Sequence, residues 1–237
     1  MAAIALVLAL AAFLIFRSKP APPVQQASQA QIVAEFTKSL TDGKNGQATQ
    51  QTVSVARVGN YYWAAGIKPW NSGPPAPEYA IFDLAGKQVD SGTLSSGQVD
   101  HQNPIKLAYQ AFWNLTHLPV QDLPSYFSGL SDLFGGATAD LVNRAKQGNP
   151  AFQRAQYVQL LKPELVASPG NPVEVGFRCL LVQGRGGVID ERVVVQEEYS
   201  GGRWEVTGVR VDRDKRNNVN LGGQPGWVAV LAGGKIQ

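Results

Sequence analysis

The chain has 237 residues, of which 44% are hydrophobic and 16% are charged, with a formal net charge of +3. A single cysteine, Cys179, excludes an intrachain disulfide. Acidic and basic residues are interspersed, and the chain lacks the one-sided Lys/Arg cluster of nucleic-acid-binding domains, so we expect no nucleic-acid partner. The densest charged run, 210–216, alternates in sign and predicts a solvated strand end.

The first sixteen residues contain no charged residue, Gly or Pro, and Arg17 and Lys19 follow them. This pattern predicts a transmembrane anchor over 1–19, with residues 2–16 in contact with the membrane. The run is shorter than the roughly 20 apolar residues that a spanning helix usually has, but flanking basic side chains can reach the interface and the bilayer can thin. A cleaved signal peptide and a basic leader further upstream remain alternatives.

The orientation of this anchor is ambiguous in the sequence. Arg17 and Lys19 lie on its C-terminal flank, and the positive-inside rule would place the globular part in the cytoplasm. The body is rich in Gln, Asn, Ser, Thr and Gly and is weakly charged, which favours the opposite side. We expect a single-pass protein of the cell membrane with an extracytoplasmic globular part, and keep the cytoplasm as the alternative.

A first folded unit is predicted over 28–98, after a Pro/Gln linker at 20–27 that its prolines stiffen. Ser28 and Gln31 match a capping box, so a helix is expected over about 29–41. Alternating residues, an aromatic-rich segment and a Gly-containing turn then predict antiparallel strands at 52–58, 60–67, 79–84 and 88–94. The unit is expected to be a small α+β module.

A second α+β module is predicted over 99–216, followed by a Gly/Asn-rich tail at 217–237. Asn103 can cap a helix that has Pro104 at its first position. Further helical stripes occupy 123–134 and 137–146. Strands are then expected at 156–161, 173–181, 188–199 and 203–211.

The order of three helices and four strands, ending in Gly201-Gly-Arg-Trp-Glu-Val-Thr-Gly-Val-Arg-Val211, resembles the nuclear transport factor two-like fold within the cystatin-like group. The first unit resembles a smaller cystatin-like module. A membrane helix followed by such domains is similar to the bitopic envelope components of bacterial secretion and conjugation systems and to Mce-associated membrane proteins. The resemblance implies a membrane-anchored scaffold whose partners are other envelope proteins, or further copies of itself.

Catalytic chemistry has little support in the sequence. His101 is expected in a turn and His117 at a helix end. Adjacent residues of a strand face opposite sides, so neither Asp190-Glu191 nor Glu197-Glu198 is expected to form a paired-carboxylate site, and exposed faces are predicted for them. One cysteine and no His pair at helical spacing argue against zinc, and no cofactor motif occurs. We therefore expect no enzyme, metal or cofactor.

The aromatic residues are the remaining candidates for function. Four of them are predicted to bind a partner: Tyr61, Trp63, Trp70 and Trp227. Packing inside the first module, or of the tail onto its own domain, is the alternative for these residues. An alternative function is a cone-shaped domain whose apolar pocket binds or converts a small molecule.

Overall fold

The computed structural model describes residues 26–41, 53–68, 76–117, 122–147, 157–166, 172–182 and 187–220. The expected anchor, most of the linker and the chain beyond residue 220 lie outside these ranges. Within them, no helix has the length and apolar character needed to span a membrane. They form a mixed structure of helices and two four-stranded antiparallel sheets, which confirms the predicted α+β class.

The first sheet consists of strands that neighbour one another in sequence order, and among the described residues one helix precedes them. The helix starts on the predicted capping box, because Ser28 Oγ accepts from Gln31 N at 3.2 Å and Gln31 Oε1 accepts from Ser28 N at 2.7 Å. The elements are α1 (Gln29–Leu40), β1 (Val53–Val58), β2 (Tyr61–Lys68), β3 (Ala76–Asp83) and β4 (Gln88–Thr93).

Both faces of the first sheet are covered. Helix α1 packs on one face through Ile32, Phe36 and Leu40, which form a core cluster with residues of β1, β2 and β3. Gly66 on β2 permits this close approach, because an added Cβ would lie 2.7 Å from Leu40 Cδ1. The opposite face, which includes Trp63, packs against the second half of the chain.

Helices precede the second sheet, as expected. Asn103 caps the first of them, and its Oδ1 accepts from the backbone N of Ile105 and Lys106 at 3.1 Å each. The stripe at 123–134 is not one helix but two, because the backbone leaves the helical region at Leu130 (φ −102°, ψ 23°). The elements are α2 (Pro104–Thr116), α3 (Leu123–Gly129), α4 (Ser131–Phe134), a 3₁₀ turn (Gly135–Ala137) and α5 (Thr138–Lys146).

The second sheet has the order β5-β6-β7-β8, and its two edge strands are longer than predicted. A register shift after Leu160 lets the first strand continue beyond the predicted end, and Pro163 is tolerated because this strand lies at the sheet edge. The last strand extends past residue 216, so the predicted tail begins within it. The strands are β5 (Tyr157–Val166), β6 (Val173–Val182), β7 (Gly187–Ser200) and β8 (Arg203–Asn220).

One apolar core joins the two halves of the chain. Phe177 on β6 stacks on Phe112 of α2 with 4.8 Å between ring centroids, and both rings are buried. Trp63 and Tyr79 of the first sheet belong to the same cluster. The backbone N–H of Leu165 on β5 also donates to Ser54 Oγ on β1 at 2.9 Å. The predicted domain boundaries stay a prediction, and the structure adds that the two ranges share this core.

Candidate functional site

The structure describes two of the four predicted partner-binding residues, and they differ in exposure. Tyr61, at the start of β2, is 47% exposed, whereas Trp63, two residues further along the same strand face, is 4% exposed. Trp70 and Trp227 lie outside the described residues. The structure therefore brings Tyr61 and Trp63 onto the face of the first sheet that meets the second half of the chain.

Three aromatic rings form a continuous contact between the two sheets, which we call the aromatic seam (Trp63, Tyr199 and Trp204). The rings of Trp63 and Trp204 meet edge to face with 5.5 Å between centroids. Tyr199, directly across from Trp204 in the β7–β8 ladder, meets it at 5.4 Å. Tyr199 is 53% exposed, so the seam runs from the buried face of β2 to solvent. Such edge-to-face pairs stabilise a contact beyond their buried area.

His101 fixes the position of Trp204 in the seam. The backbone N–H of Trp204 donates to the His101 carbonyl at 2.9 Å. In return, His101 Nδ1 lies 2.8 Å from the Trp204 carbonyl, which assigns the ring proton to Nδ1. The Asp132 carboxylate lies 3.4 Å from Nε2 without the alignment of a hydrogen bond. The Nδ1 bond to the Trp204 carbonyl, beside the largely exposed Asp132 carboxylate, indicates a structural role for this histidine.

A second polar cluster connects β3 and β4 to the start of α2. Asp90 Oδ2 accepts from Tyr79 Oη at 3.0 Å and from Asn103 Nδ2 at 3.1 Å. Lys106 Nζ lies 3.3 Å from Asp100 Oδ2 and 5.4 Å from the centre of the Tyr79 ring. Burial raises the pKa of Tyr79, with a further contribution from Asp90, so its hydroxyl stays protonated and donates. This cluster is a tether between the sheet edge and the helix, not an acid–base pair.

One glutamate of each carboxylate pair of β7, Glu191 and Glu197, does not have the predicted exposure. Glu191 is 2% exposed and Glu197 is 0% exposed, so the prediction that these acids lie on a solvated face is wrong. The reason is the two-residue period of the strand: Val193 and Val195 face the core, and residues two positions before and after them face the same way. That period was visible in the sequence and would have identified both acids.

Glu197 has an unusual environment for a carboxyl group. Its cross-strand neighbours are Val173 on β6 and Val206 on β8, and neither of its carboxylate oxygens has a hydrogen-bond partner among the residues that the structure describes. Burial raises the pKa of Glu197 well above its ordinary value, because removing water disfavours the charged form. The carboxyl group is therefore held in the neutral state over a range of pH in which an exposed glutamate is charged.

The first sheet also borders a surface cleft of about 210 Å³. Helix α1 contributes Phe36, Ser39 and Leu40, and the β3–β4 edge contributes Glu78, Gln88 and Ser91. Its lining is mixed, and Glu78 is already engaged with Thr93 at 3.1 Å. Nothing in this cleft gathers acid–base or nucleophilic groups around one point.

The other candidate groups have packing roles. The His117 ring stacks on Trp113 with 3.8 Å between centroids, and burial lowers the pKa of His117 despite a bond to the Trp113 carbonyl. Cys179 is buried on the inner face of β6. Among the described residues, no group of three or more His, Cys, Asp or Glu side chains is arranged to hold a metal ion.

Comparisons with protein-family models, with curated proteins and with solved structures found no match to this chain. The seam, the buried acids and the sequence pattern are therefore the features that point to a function. Tyr199 and Trp204 were not among the predicted site residues, and Glu197 was assigned to an exposed face. Trp204 could not be found from its strand alone, because its partner Trp63 belongs to the other sheet.

Proposed function

We propose that this chain is a non-enzymatic, single-pass membrane protein of a bacterial envelope complex, whose globular part binds other proteins through the aromatic seam and Tyr61. The observation that carries the proposal is the exposure of Tyr199 and Tyr61 beside a rigid ring contact that joins both sheets. Tyrosine and tryptophan are enriched where protein interfaces gain most of their energy. Rings already fixed by packing lose little conformational entropy on binding.

Fold-level support comes from the order of elements. In the proposal, residues 99–216 are a nuclear transport factor two-like module and residues 28–98 a smaller cystatin-like module. The helices of 104–146 followed by the antiparallel order β5-β6-β7-β8 are consistent with the former, and α1 with β1–β4 is consistent with the latter. Function does not follow from fold, so the binding proposal rests on the seam.

The membrane part of the proposal rests on the uncharged apolar run at 2–16. We propose that the globular part lies outside the cytoplasm. A tag placed after Gln237 should fractionate with membranes and be digested by protease added to intact cells. A tag that stays in the membrane fraction but resists the protease contradicts this orientation, and a soluble tag contradicts the anchor.

The non-enzymatic part of the proposal is supported by the contacts of the side chains that most often act as acids or bases. His101 bonds through Nδ1 to the Trp204 carbonyl, and His117 stacks on Trp113. The Tyr79 hydroxyl is bonded to Asp90. Each of these groups is engaged in a contact within the fold.

Site-specific photo-crosslinking tests the binding surface. A benzophenone amino acid is placed at Tyr199 or Tyr61 in the full chain in its native cells. Val89 on β4, which is 51% exposed, serves as the control position because it is a similarly exposed apolar residue on another edge. We expect discrete crosslinked protein products from positions 199 and 61 and none from 89. Equal patterns from all three positions, or none from any, reject the proposed surface.

A second candidate function is binding of a small molecule inside the second module. The observation in its favour is Glu197, a buried carboxyl group without a partner in an otherwise apolar interior. The stacked rings of Phe112 and Phe177, both buried, oppose it because they fill part of that interior. A screen of apolar amines by thermal shift tests it: a ligand that stabilises the natural chain but not Glu197→Gln supports this function, and the lack of any such ligand rejects it.

A further inference from the structure

Glu197 lies where the fold joins its two halves. It shares the inner face of β7 with Val195 on one side and Tyr199 of the aromatic seam on the other. Its neighbour across the ladder, Val206, is two residues from Trp204 on β8, and Trp204 contacts Trp63 of the first sheet. A change in the charge of this one side chain therefore acts directly beneath the seam.

The backbone beside Glu197 lies at one of the two register shifts of the β7–β8 ladder. The register shifts between Gln196 and Glu197, so that Thr207 is an extra residue in β8. A β-bulge interrupts regular pairing and increases local bending. The 3₁₀ turn packs closely against β8 at this point, since a Cβ added at Gly135 would lie 3.2 Å from the Val206 carbonyl oxygen. The regular pairing of the hairpin end is thus interrupted from the rest of the ladder at this point.

No described basic group compensates a charge at this position. The inner face of β6 offers one ionisable residue, Cys179, and β7 itself adds Glu191 and Tyr199. On the inner face of β8, Trp204, Val206 and Val209 carry no charge. The other ionisable groups nearby have partners elsewhere. Lys106 pairs with Asp100, Arg203 pairs with Glu205, and His101 lies beside Asp132 at the surface next to the seam. Burial raises the pKa of Tyr109 to about 12, so its hydroxyl stays neutral.

We propose that Glu197 is a pH-sensitive element of this fold: when neutral it allows the β7–β8 hairpin to pack beneath the seam, and when ionised it releases the hairpin end that carries Tyr199 and Trp204. A buried charge without a partner is far more costly than a buried neutral carboxyl group, so the ionised side chain must reach water. In the proposal, the side chain reaches water when the hairpin opens at the bulge. The device does not depend on any partner of the seam.

The direction of the pH response follows from the environment. In the folded chain the pKa of Glu197 is raised, so the folded form binds a proton that the opened form loses. The closed form is therefore fully favoured below the ordinary glutamate pKa. It loses stability as pH rises from there through the raised pKa, at about tenfold in the opening equilibrium per pH unit.

Hydrogen exchange of the full chain in a nonionic detergent, from pH 5 to 9, measures this opening. The rates of backbone amides in 197–206 are corrected for the intrinsic pH dependence of exchange. We expect their protection to fall by about tenfold per pH unit over part of this range. Glu197→Gln and Glu197→Leu should abolish the slope, because neither side chain ionises. Glu198→Gln, which changes the neighbouring residue on the opposite face, should retain it.

Two results would overturn the proposal. One is a natural chain whose protection in 197–206 is independent of pH after correction. The other is a slope that persists in either Glu197→Gln or Glu197→Leu. The leucine variant keeps the test valid if the buried amide of the glutamine variant impairs folding. Because the readout needs no partner, failure here leaves the crosslinking result untouched, and the reverse also holds.

Discussion

The two faces of the second sheet give glutamate side chains opposite environments. On the outer face, Glu174 receives two hydrogen bonds from Arg210, at 2.6 and 3.1 Å, and one from Gln196 at 3.0 Å. These bonds, those of Arg210 foremost, lower the pKa of Glu174. On the inner face, Glu197 has no partner and its pKa is raised. The face of the strand, and not the residue type, decides whether a glutamate stabilises the fold when charged or when neutral.

The same contrast extends to packing. The inner face holds the apolar core with Phe177 at its centre, whereas the outer face holds ion pairs such as Arg192 with Glu164, 2.5 Å apart. Burial of an apolar ring contributes far more than a pair of charges that water can reach.

Removal of the central ring of the inner face should have the largest effect. Phe177→Ala leaves a cavity between Phe112 and Tyr109, whose ring centroids lie 4.8 and 5.8 Å away. We expect the free energy of unfolding to fall by about 3 to 5 kcal/mol. Urea denaturation of the chain measures it. Arg178→Ala, the next residue on the outer face, should change stability by less than about 1 kcal/mol, and a similar loss for both variants would contradict the comparison.

The two helix caps also differ in burial, and we expect a smaller effect on stability from their removal. Ser28 caps α1 at an exposed position, whereas Asn103 caps α2, is 5% exposed and also bonds to Asp90. Cap removal typically costs about 0.5 to 2 kcal/mol. We expect Asn103→Ala to lie at the upper end and Ser28→Ala at the lower end, by thermal unfolding. Equal losses would show that the bond to Asp90 contributes nothing.

The outer-face glutamate should give the smallest effect, with a pH dependence opposite to that of Glu197. The folded pKa of Glu174 is lowered, so its stabilisation is present above the ordinary glutamate pKa and disappears as pH falls through the folded value. Because Arg210 is partly exposed, Glu174→Gln should cost only about 0.2 to 1 kcal/mol at neutral pH. Unfolding curves of both chains should converge in acid, and a difference that persists there would contradict the assignment.

Local signals in the sequence predicted much of the fold. The capping box at Ser28 and the Asn103-Pro104 start each give a helix beginning from a few neighbouring residues. Alternation likewise predicted β1 and β6, and an aromatic-rich segment predicted β2, all close to their observed bounds. The predicted strand ends were wrong where backbone pairing with a neighbouring strand outweighs the composition of the segment. β5 continues through Pro163 and β8 through a charged run, because each pairs along one side with a neighbouring strand.

The residues of the candidate site likewise differ in how far the sequence predicted them. Tyr61 and Trp63 were identified from an aromatic-rich strand, and the buried acids of β7 were predictable from the period of Val193 and Val195 but were assigned to the surface. By itself, the sequence determined the α+β class and the starts of α1 and α2, because caps act between near neighbours. Only the tertiary structure decided that Trp204 meets Trp63 and that Glu197 lacks a partner, because these depend on how two sheets, distant in sequence, pack on one core.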